Sequence, residues 1–514
     1  MNKGTFEKKV FKYIRYNIPG IAVAVIFTVL MAWYNFLMVE SYNYTVFDLG
    51  LNYRLMSLLI FNHLVLLKPP LNILYPPHPL GKMAFVPLSV GLLIYNSVFT
   101  ILLEQILVIS AGGYALFRIT NIKTGNTFAS IILEVSYFLY PATYGFMAHG
   151  GNIQIFFPGF LLIGYLFFTE KRIIPSLLAF FLASITNFVA PFIVMAFLLF
   201  DWVANIEMKK VKPFRPVGSF FRSLFWMVCK QREGTFFYLF MFAFEILFGF
   251  FDFIYVGGTS GILNNSRLTG FNSTSLTGNL LEDMGTYKIP FFYQVFSPVM
   301  FLSLLTPYSV IVIVYFVLTF ASNTGVYYMI TQQFSSLFYS FVFIGTVHFF
   351  RNRFTGVDIK KMANSILVLV LVSSIFSFAI YSPFSVSNFQ NGTIQEMGYV
   401  SQFDNELTAG LSLIPDNASV FIQNDIPQLM NREMVYMPGY YDNQTVDFAV
   451  IIPFGFSPLS KIYGGYDPYW GNMFQHNSSY GVYEYIQGAV IYKLYYSGHP
   501  VIYIPSSSNY STRD

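Results

Sequence analysis

Four ionisable residues within the first 100 positions could act together in a chemical reaction. Asp48 is a carboxylate that could serve as a general base and take the proton of an attacking hydroxyl. Arg54, Lys68 and Lys82 follow in the same predicted loop, and cations at a membrane interface can pair with a lipid phosphate. This combination suits group transfer from a lipid phosphate. The alternative is that Asp48 caps a helix and the basic side chains only extend from helix ends toward water.

Three more polar residues are expected near Asp48. His78 and His149 lie at the predicted outer ends of membrane segments, although a lone histidine can equally be a hydrogen-bonded structural residue. Asn187 divides the apolar stretch 173–200, which lies between two basic segments, so the chain must turn there. Asn187 then either caps the two half-helices or lines a cavity.

Acidic residues also fall inside predicted membrane spans, where ionisable groups are functional candidates. They are Glu104, Glu134, Glu245 and Asp252. The last two are seven residues apart and share one helix face, where they could pair with a cation, line a lipid groove or reach the interface. Glu282-Asp283 could join Asp48 around a divalent cation. The chain has no Asp-x-Asp motif to support this, so neither a metal site nor a cofactor is predicted.

The elements that position these residues must be membrane helices. The mean hydropathy is +0.54, and 11% of the residues are charged, against about 25% in soluble domains. Cys229 is the only cysteine, which excludes a disulfide framework and a cysteine-based metal site. The predicted inner loops are too short for a nucleotide-binding domain, and no nucleic-acid partner is expected. An activated substrate would therefore arrive on a lipid at the outer face.

The charge pattern predicts how the chain crosses the membrane. Basic residues from Lys3 to Arg15 precede an apolar run at 18–39, which places the N-terminus in the cytoplasm. Further apolar runs lie at about 97–118, 126–145, 153–169, 173–186, 188–203, 236–256, 291–305, 308–322, 335–350 and 363–381. Together they predict about eleven crossings of the plasma membrane and an extracytoplasmic C-terminus. Most of the 29 basic residues then lie on the inner side.

Possible N-glycosylation acceptors test this topology independently, because such sites can be modified only on the outer face. The Asn-x-Ser/Thr motifs begin at Asn43, Asn264, Asn272, Asn391, Asn417, Asn443, Asn477 and Asn509. All of them fall in segments that the charge pattern already places outside.

Two domains are predicted. Residues 1–381 form a multi-span membrane domain with outer loops at about 40–96 and 257–289, and residues 382–514 form an extracytoplasmic soluble domain. In the soluble part, the residue pattern predicts a helix at 403–413 and strands at 419–423, 434–437 and 446–452. A closing hairpin at 481–495 completes a small α/β module.

Several short segments along the chain form a recognisable series: Phe47-Asp48-Leu49-Gly50, His78-Pro79-Leu80, Leu103-Glu104-Gln105, Tyr140-Pro141 with His149, 298–307, 413–420 and Tyr480-Gly481-Val482. Together they resemble a prokaryotic family of polytopic membrane proteins of unknown function that is grouped with the GT-C glycosyltransferases. The similarity runs in order along nearly the whole chain. It implies a GT-C-like fold, a polyprenyl-phosphate-linked sugar donor, a glycan, glycolipid or glycoprotein acceptor, and Asp48 as the catalytic carboxylate.

The chain departs from this family at three polar positions. Gly150-Gly151 stands where the family tends to have Pro-Glu, Thr186-Asn187 where it tends to have Lys-Glu, and Gln333-Phe334 where it tends to have His-Tyr. Either the substrate differs, or this copy binds a glycolipid or glycoprotein without catalysis. A third hypothesis, a transporter or flippase, is motivated by the intramembrane acids.

Overall fold

The fold is helical, with a small sheet near the C-terminus. The computed structural model describes residues 3–42, 44, 49–61, 85–148, 150–187, 189–205, 239–240, 242–247, 284–320, 330, 333–351, 357–382, 384, 400–422, 426–432, 434–436, 445–452 and 468–503. The contacts and elements given below all belong to these residues.

The apolar runs of the sequence form helices. These are α1 (Lys3–Glu40), α2 (Leu51–Phe61), α3 (Val98–Thr124), α4 (Thr127–Phe138), α5 (Pro141–Ala148), α6 (Phe157–Thr169), α7 (Ile173–Ser184), α8 (Ala190–Asn205), α9 (Ile289–Phe296), α10 (Ser309–Phe320), α11 (Tyr339–Phe350) and α12 (Val357–Tyr381). In the described part, three helical segments are long and apolar enough to cross a membrane: Tyr16–Glu40, Val98–Thr124 and Asp358–Tyr381. Shorter apolar helices accompany them, and the count of about eleven crossings stays a prediction.

Two apolar runs in the described part of the chain show clear breaks in their helices. The run at 126–145 is split between α4 and α5 just before Pro141, where the preceding residue is driven out of helical geometry. The run at 291–305 begins in α9 and continues as two short 3-10 turns. Met300 and Phe301 separate these turns, and both have left-handed backbone angles, with φ of 52° and 58°. The chain therefore changes direction inside an apolar stretch.

Helices α3 and α6 approach closely at two glycines. A Cβ built on Gly112 would lie 2.7 Å from the Cα of Gly159, so the two backbones are nearly in contact. Small residues permit such an approach between helices in a membrane, where dispersion forces drive packing. Helices α3 and α6 therefore pack backbone to backbone at this point.

The C-terminal part forms a mixed sheet with a helix on each face. It contains α13 (Gln402–Ser412), β1 (Ser419–Ile422), β2 (Met434–Tyr436), β3 (Phe448–Ile451), α14 (Pro468–His476), β4 (Tyr480–Ile486), β5 (Ala489–Leu494) and β6 (Val501–Tyr503), with strand order β2-β1-β3-β5-β4-β6. Strand β1 is parallel to β2 and β3, and β5 is antiparallel to β3 and β4. The predicted helix and the predicted strands, including those of the closing hairpin, are confirmed. Helix α14 and strand β6 were not predicted.

Three side-chain contacts dock this sheet domain on the end of α1 and on α2. The Tyr42 hydroxyl lies 2.8 Å from the Thr408 hydroxyl, and the Gln428 amide donates to the Val39 carbonyl at 2.9 Å. Arg54 of α2 makes the third contact. Buried apolar residues of α1, α2, α13 and the sheet form one continuous core.

Candidate functional site

The structure describes some of the predicted site residues. Arg54, Glu104, Glu134, Asn187 and Glu245 are described. The candidates Asp48, Lys68, His78, Lys82, His149 and Asp252 lie outside the described residues, as do the sequons at Asn43, Asn264, Asn272, Asn391, Asn443 and Asn509. The remaining sequon residues, Asn417 and Asn477, are exposed in the sheet domain.

A close backbone contact joins the start of α2 to the segment after α5. Gly151 has a φ of 78°, and a Cβ built on it would lie 2.6 Å from the Cα of Leu49. Only glycine accommodates both the backbone conformation and this approach. Leu49 directly follows Asp48 in the sequence, and Gly151 is two residues from His149. The two predicted functional segments therefore meet at Leu49 and Gly151.

Amide side chains from two helices clamp the backbone at this contact. Gln105 of α3 accepts a hydrogen bond from the Gly151 amide and donates one to the Asn152 carbonyl, each at 3.2 Å. Asn52 of α2 donates to the Gly151 carbonyl at 2.7 Å. Gln105 is 1% exposed, so its hydrogen bonds are formed away from water. Neither amide was predicted from the sequence, although Gln105 stands out as a polar residue inside an apolar run.

Asn187 lies at the turn that the sequence predicted between α7 and α8. Its side-chain oxygen accepts the Val189 amide at 2.9 Å, just before α8 begins at Ala190. Its amide nitrogen donates to Gln154 at 2.7 Å. The first hydrogen bond lies within the turn and agrees with the capping alternative, and the second holds the turn against the segment that follows Gly151. A binding role for Asn187 stays a prediction.

Arg54 joins the first loop to the sheet domain. Its Nη1 atom donates to the Arg432 carbonyl at 2.6 Å and lies 3.4 Å from the Met430 carbonyl, and the side chain is 7% exposed. Burial lowers the pKa of Arg54 to about 10, so the guanidinium remains charged at neutral pH. Arg54 thus has a structural role beside the phosphate-binding role predicted for it. Arg432 also forms an ion pair with Asp416.

The three described acids of the predicted spans, Glu104, Glu134 and Glu245, share no hydrogen-bond partner within the described residues. Glu104 accepts the Gly91 amide at 3.0 Å, and Glu245 accepts the Ser184 hydroxyl at 2.7 Å. Glu134 is fully buried, and neither of its carboxylate oxygens has a hydrogen-bond partner within the described ranges. Among those ranges no three His, Cys, Asp or Glu side chains are grouped as metal ligands. Each acid therefore has its own environment.

The protein is an integral membrane protein, because its long apolar helices include α1 and α12, whose apolar side chains are exposed. A small sheet lies in the C-terminal part of the chain. The chain belongs to DUF2079, a family described as a predicted membrane protein, whose pattern matches residues 83–452. No curated protein matches the chain. The family supports a membrane location and leaves the chemistry open.

Proposed function

We propose that the protein is a glycosyltransferase-like membrane enzyme of GT-C type. It would use a polyprenyl-phosphate-linked sugar at the outer face of the cell membrane, with Asp48 as the general base. The proposed pocket residues are His78, His149 and Asn187, and the proposed phosphate-binding cations are Arg54, Lys68 and Lys82.

One observation carries the proposal. Leu49 packs against Gly151, and Gln105 and Asn52 fix the backbone at that point. The loop that contains Asp48 is thereby tied to the segment that contains His149. A general base must be held in one position relative to the acceptor, since a small displacement has a large effect on rate. The contacts at Leu49 and Gly151 support the proposal that the neighbouring Asp48 is held in this way.

The proposed reaction forms one glycosidic bond. The acceptor hydroxyl oxygen attacks the anomeric carbon of the sugar, and the bond from that carbon to the phosphate oxygen breaks. The electron pair leaves with the polyprenyl phosphate, whose charge the neighbouring cations stabilise. The Asp48 carboxylate takes the hydroxyl proton. No nucleotide takes part in this step.

The sheet domain would guide the acceptor. It contacts α1 and α2 directly on either side of the segment that contains Asp48. A glycan, glycolipid or glycoprotein acceptor would therefore meet the sheet domain and the donor at one place.

The test compares surface glycans from cells that carry different variants. Mass spectrometry of glycoproteins and glycolipids is run on wild type, a deletion, Asp48→Asn and the control Asp358→Asn. Asp358 is an exposed carboxylate in the first turn of α12, on the predicted inner side. We expect the deletion and Asp48→Asn to lose the same sugar unit while Asp358→Asn keeps it, at equal protein levels.

The other outcomes refute the proposal. If the deletion changes the glycans and Asp48→Asn does not, the protein acts by binding or transport, as the two alternative hypotheses state. If no variant changes the glycans, a role in surface glycosylation is wrong.

A further inference from the structure

A lysine surrounded by aromatic rings lies at one end of the sheet domain. The Nζ atom of Lys493, in β5, is 4.9 Å from the centre of the Tyr483 ring and 5.5 Å from that of the Phe448 ring. It is 5.8 Å from the centre of the Tyr496 ring. Each distance is within the range of a cation–π contact. The three rings therefore hold the ammonium group in one place.

Strand register brings these side chains together. Phe448 of β3 and Gly481 of β4 are the cross-strand neighbours of Lys493. A Cβ built on Gly481 would collide with the backbone oxygen of Tyr496, so glycine lets the chain beyond β5 cross close to β4. The Tyr496 ring then packs edge to face against the Tyr483 ring, with the ring centres 5.1 Å apart.

The N–H donors of Lys493 have no oxygen acceptor in the part of the chain that the structure describes. The ion pairs found there belong to Arg118 and Arg432. Glu484 pairs with Ile491 across β4 and β5, but its carboxylate contacts α13 at Gly410. An aromatic face attracts an ammonium group and leaves its three donors unused. Because Lys493 is half-buried, its ammonium group can still bind an anion.

The lysine lies on the face of the sheet that docks on the membrane helices. Phe448 belongs to the apolar core that includes Met38 and Val39 of α1. Ile491, two residues before Lys493 in β5, belongs to the same core, and alternate residues of a strand share a face. An anion bound to Lys493 would therefore lie on the side of the sheet that faces the predicted outer end of α1.

One cation among aromatic rings suits a single acidic sugar. The ring of a sugar has an apolar face of C–H groups that can pack on tyrosine, and a sugar carboxylate accepts strong hydrogen bonds from an ammonium group. Sites for small ligands combine such aromatic walls with a few polar groups. Anionic lipid headgroups are bound by clusters of several basic residues, whereas in the described chain Lys493 is the basic residue that contacts these rings.

We propose that Lys493 binds the carboxylate of an acidic sugar in the acceptor glycan, with Tyr483 and Tyr496 against the apolar face of the sugar ring. The assignment to the acceptor rests on the proposed transferase function, whereas the binding itself does not. The site would make the protein prefer acidic glycans to neutral ones.

The test measures binding of tetragalacturonic acid to the full chain in phosphatidylcholine nanodiscs by isothermal titration calorimetry. The fully methyl-esterified tetramer is the neutral control, because it keeps the sugar rings and lacks the charges. We expect wild type to prefer the acid, and Lys493→Gln to bind it about tenfold more weakly. Tyr496→Leu removes one ring and should weaken binding about threefold.

Two control variants separate the site from general effects of charge and folding. Lys493→Arg keeps the positive charge and should keep most of the binding that Lys493→Gln loses. Lys360→Gln removes an exposed lysine near the start of α12 and should leave binding unchanged. Thermal unfolding of each variant checks that the compared proteins are folded.

Several results would overturn the proposal. It is wrong if wild type binds neither tetramer or binds both equally, or if Lys360→Gln weakens binding as much as Lys493→Gln. Nanodiscs with phosphatidylglycerol form a second arm, and retention of this lipid that depends on Lys493, without binding of the acid, would identify a lipid headgroup instead. No sugar donor is present in the titration, so a failure of the proposed transfer reaction would leave its result unchanged.

Discussion

Replacement of Gly151 by alanine tests the contact on which the candidate site depends. The new Cβ would lie 2.6 Å from the Leu49 Cα and 2.8 Å from its Cδ1 atom. A left-handed conformation costs alanine about 1–2 kcal/mol, and overpacking adds about 1–3 kcal/mol. Because Leu49 must move, we expect Gly151→Ala to lose about 2–5 kcal/mol of stability.

Gly125 is the matched control for this substitution. It ends α3 with a φ of 65°, and among the described residues no atom lies within 4 Å of a Cβ built there. Gly125→Ala should therefore lose stability only through the left-handed backbone conformation, by about 1–2 kcal/mol. The difference between the two variants isolates the steric contact with Leu49.

The assay is thermal unfolding of both variants in the same detergent, followed by sugar transfer at a temperature where both are folded. We expect the lower unfolding midpoint for Gly151→Ala and a loss of transfer of about 100-fold, because the Asp48 loop is displaced. Equal midpoints for the two variants would refute the close contact. Normal transfer in a destabilised Gly151→Ala protein would refute the link between the contact and the reaction.

Substitutions at three further positions have defined outcomes. Gln105→Leu leaves the Gly151 amide without its partner, so we expect the free energy of unfolding to fall by about 1–3 kcal/mol. We expect a smaller decrease for Gln105→Glu. Arg54→Gln removes charged hydrogen bonds to Arg432 and Met430. We therefore expect faster limited proteolysis of the sheet domain in this variant. Unchanged cleavage would exclude a docking role for Arg54. Burial raises the pKa of Glu484 in β4, so folding takes up a proton there and stability falls as pH rises above the unfolded pKa of about 4.3. Glu484→Gln should therefore be more stable than wild type at pH 7, by about 1 kcal/mol, and show no gain near pH 4.

Local patterns predicted most of the secondary structure. Short continuous apolar runs identified β1 and β3, which are buried on both faces of the sheet: Val420 and Ile422 face one side and Phe421 the other. Apolar runs identified the helices in the same way. The left-handed residues Met300 and Phe301 were not predicted, because neither residue type favours that conformation and only the surrounding packing selects it.

The candidate site depends on contacts that the sequence does not encode locally. From the sequence alone, Gly150-Gly151 indicates a loss of polar residues relative to the family. The structure gives these glycines a physical reason, since Leu49 packs directly against Gly151 at a positive φ. Gln105 is 46 residues from Gly151 in the chain, so no local pattern could pair them.

The most direct test of the proposed function measures sugar transfer by the purified protein. The full chain in nanodiscs is given a labelled polyprenyl-phosphate hexose and membranes from deletion cells as the source of acceptor. The proposed function predicts acceptor-dependent release of polyprenyl phosphate that falls at least about 100-fold in Asp48→Asn and stays normal in Asp358→Asn. Equal release by wild type and Asp48→Asn, or no release by wild type, would contradict it.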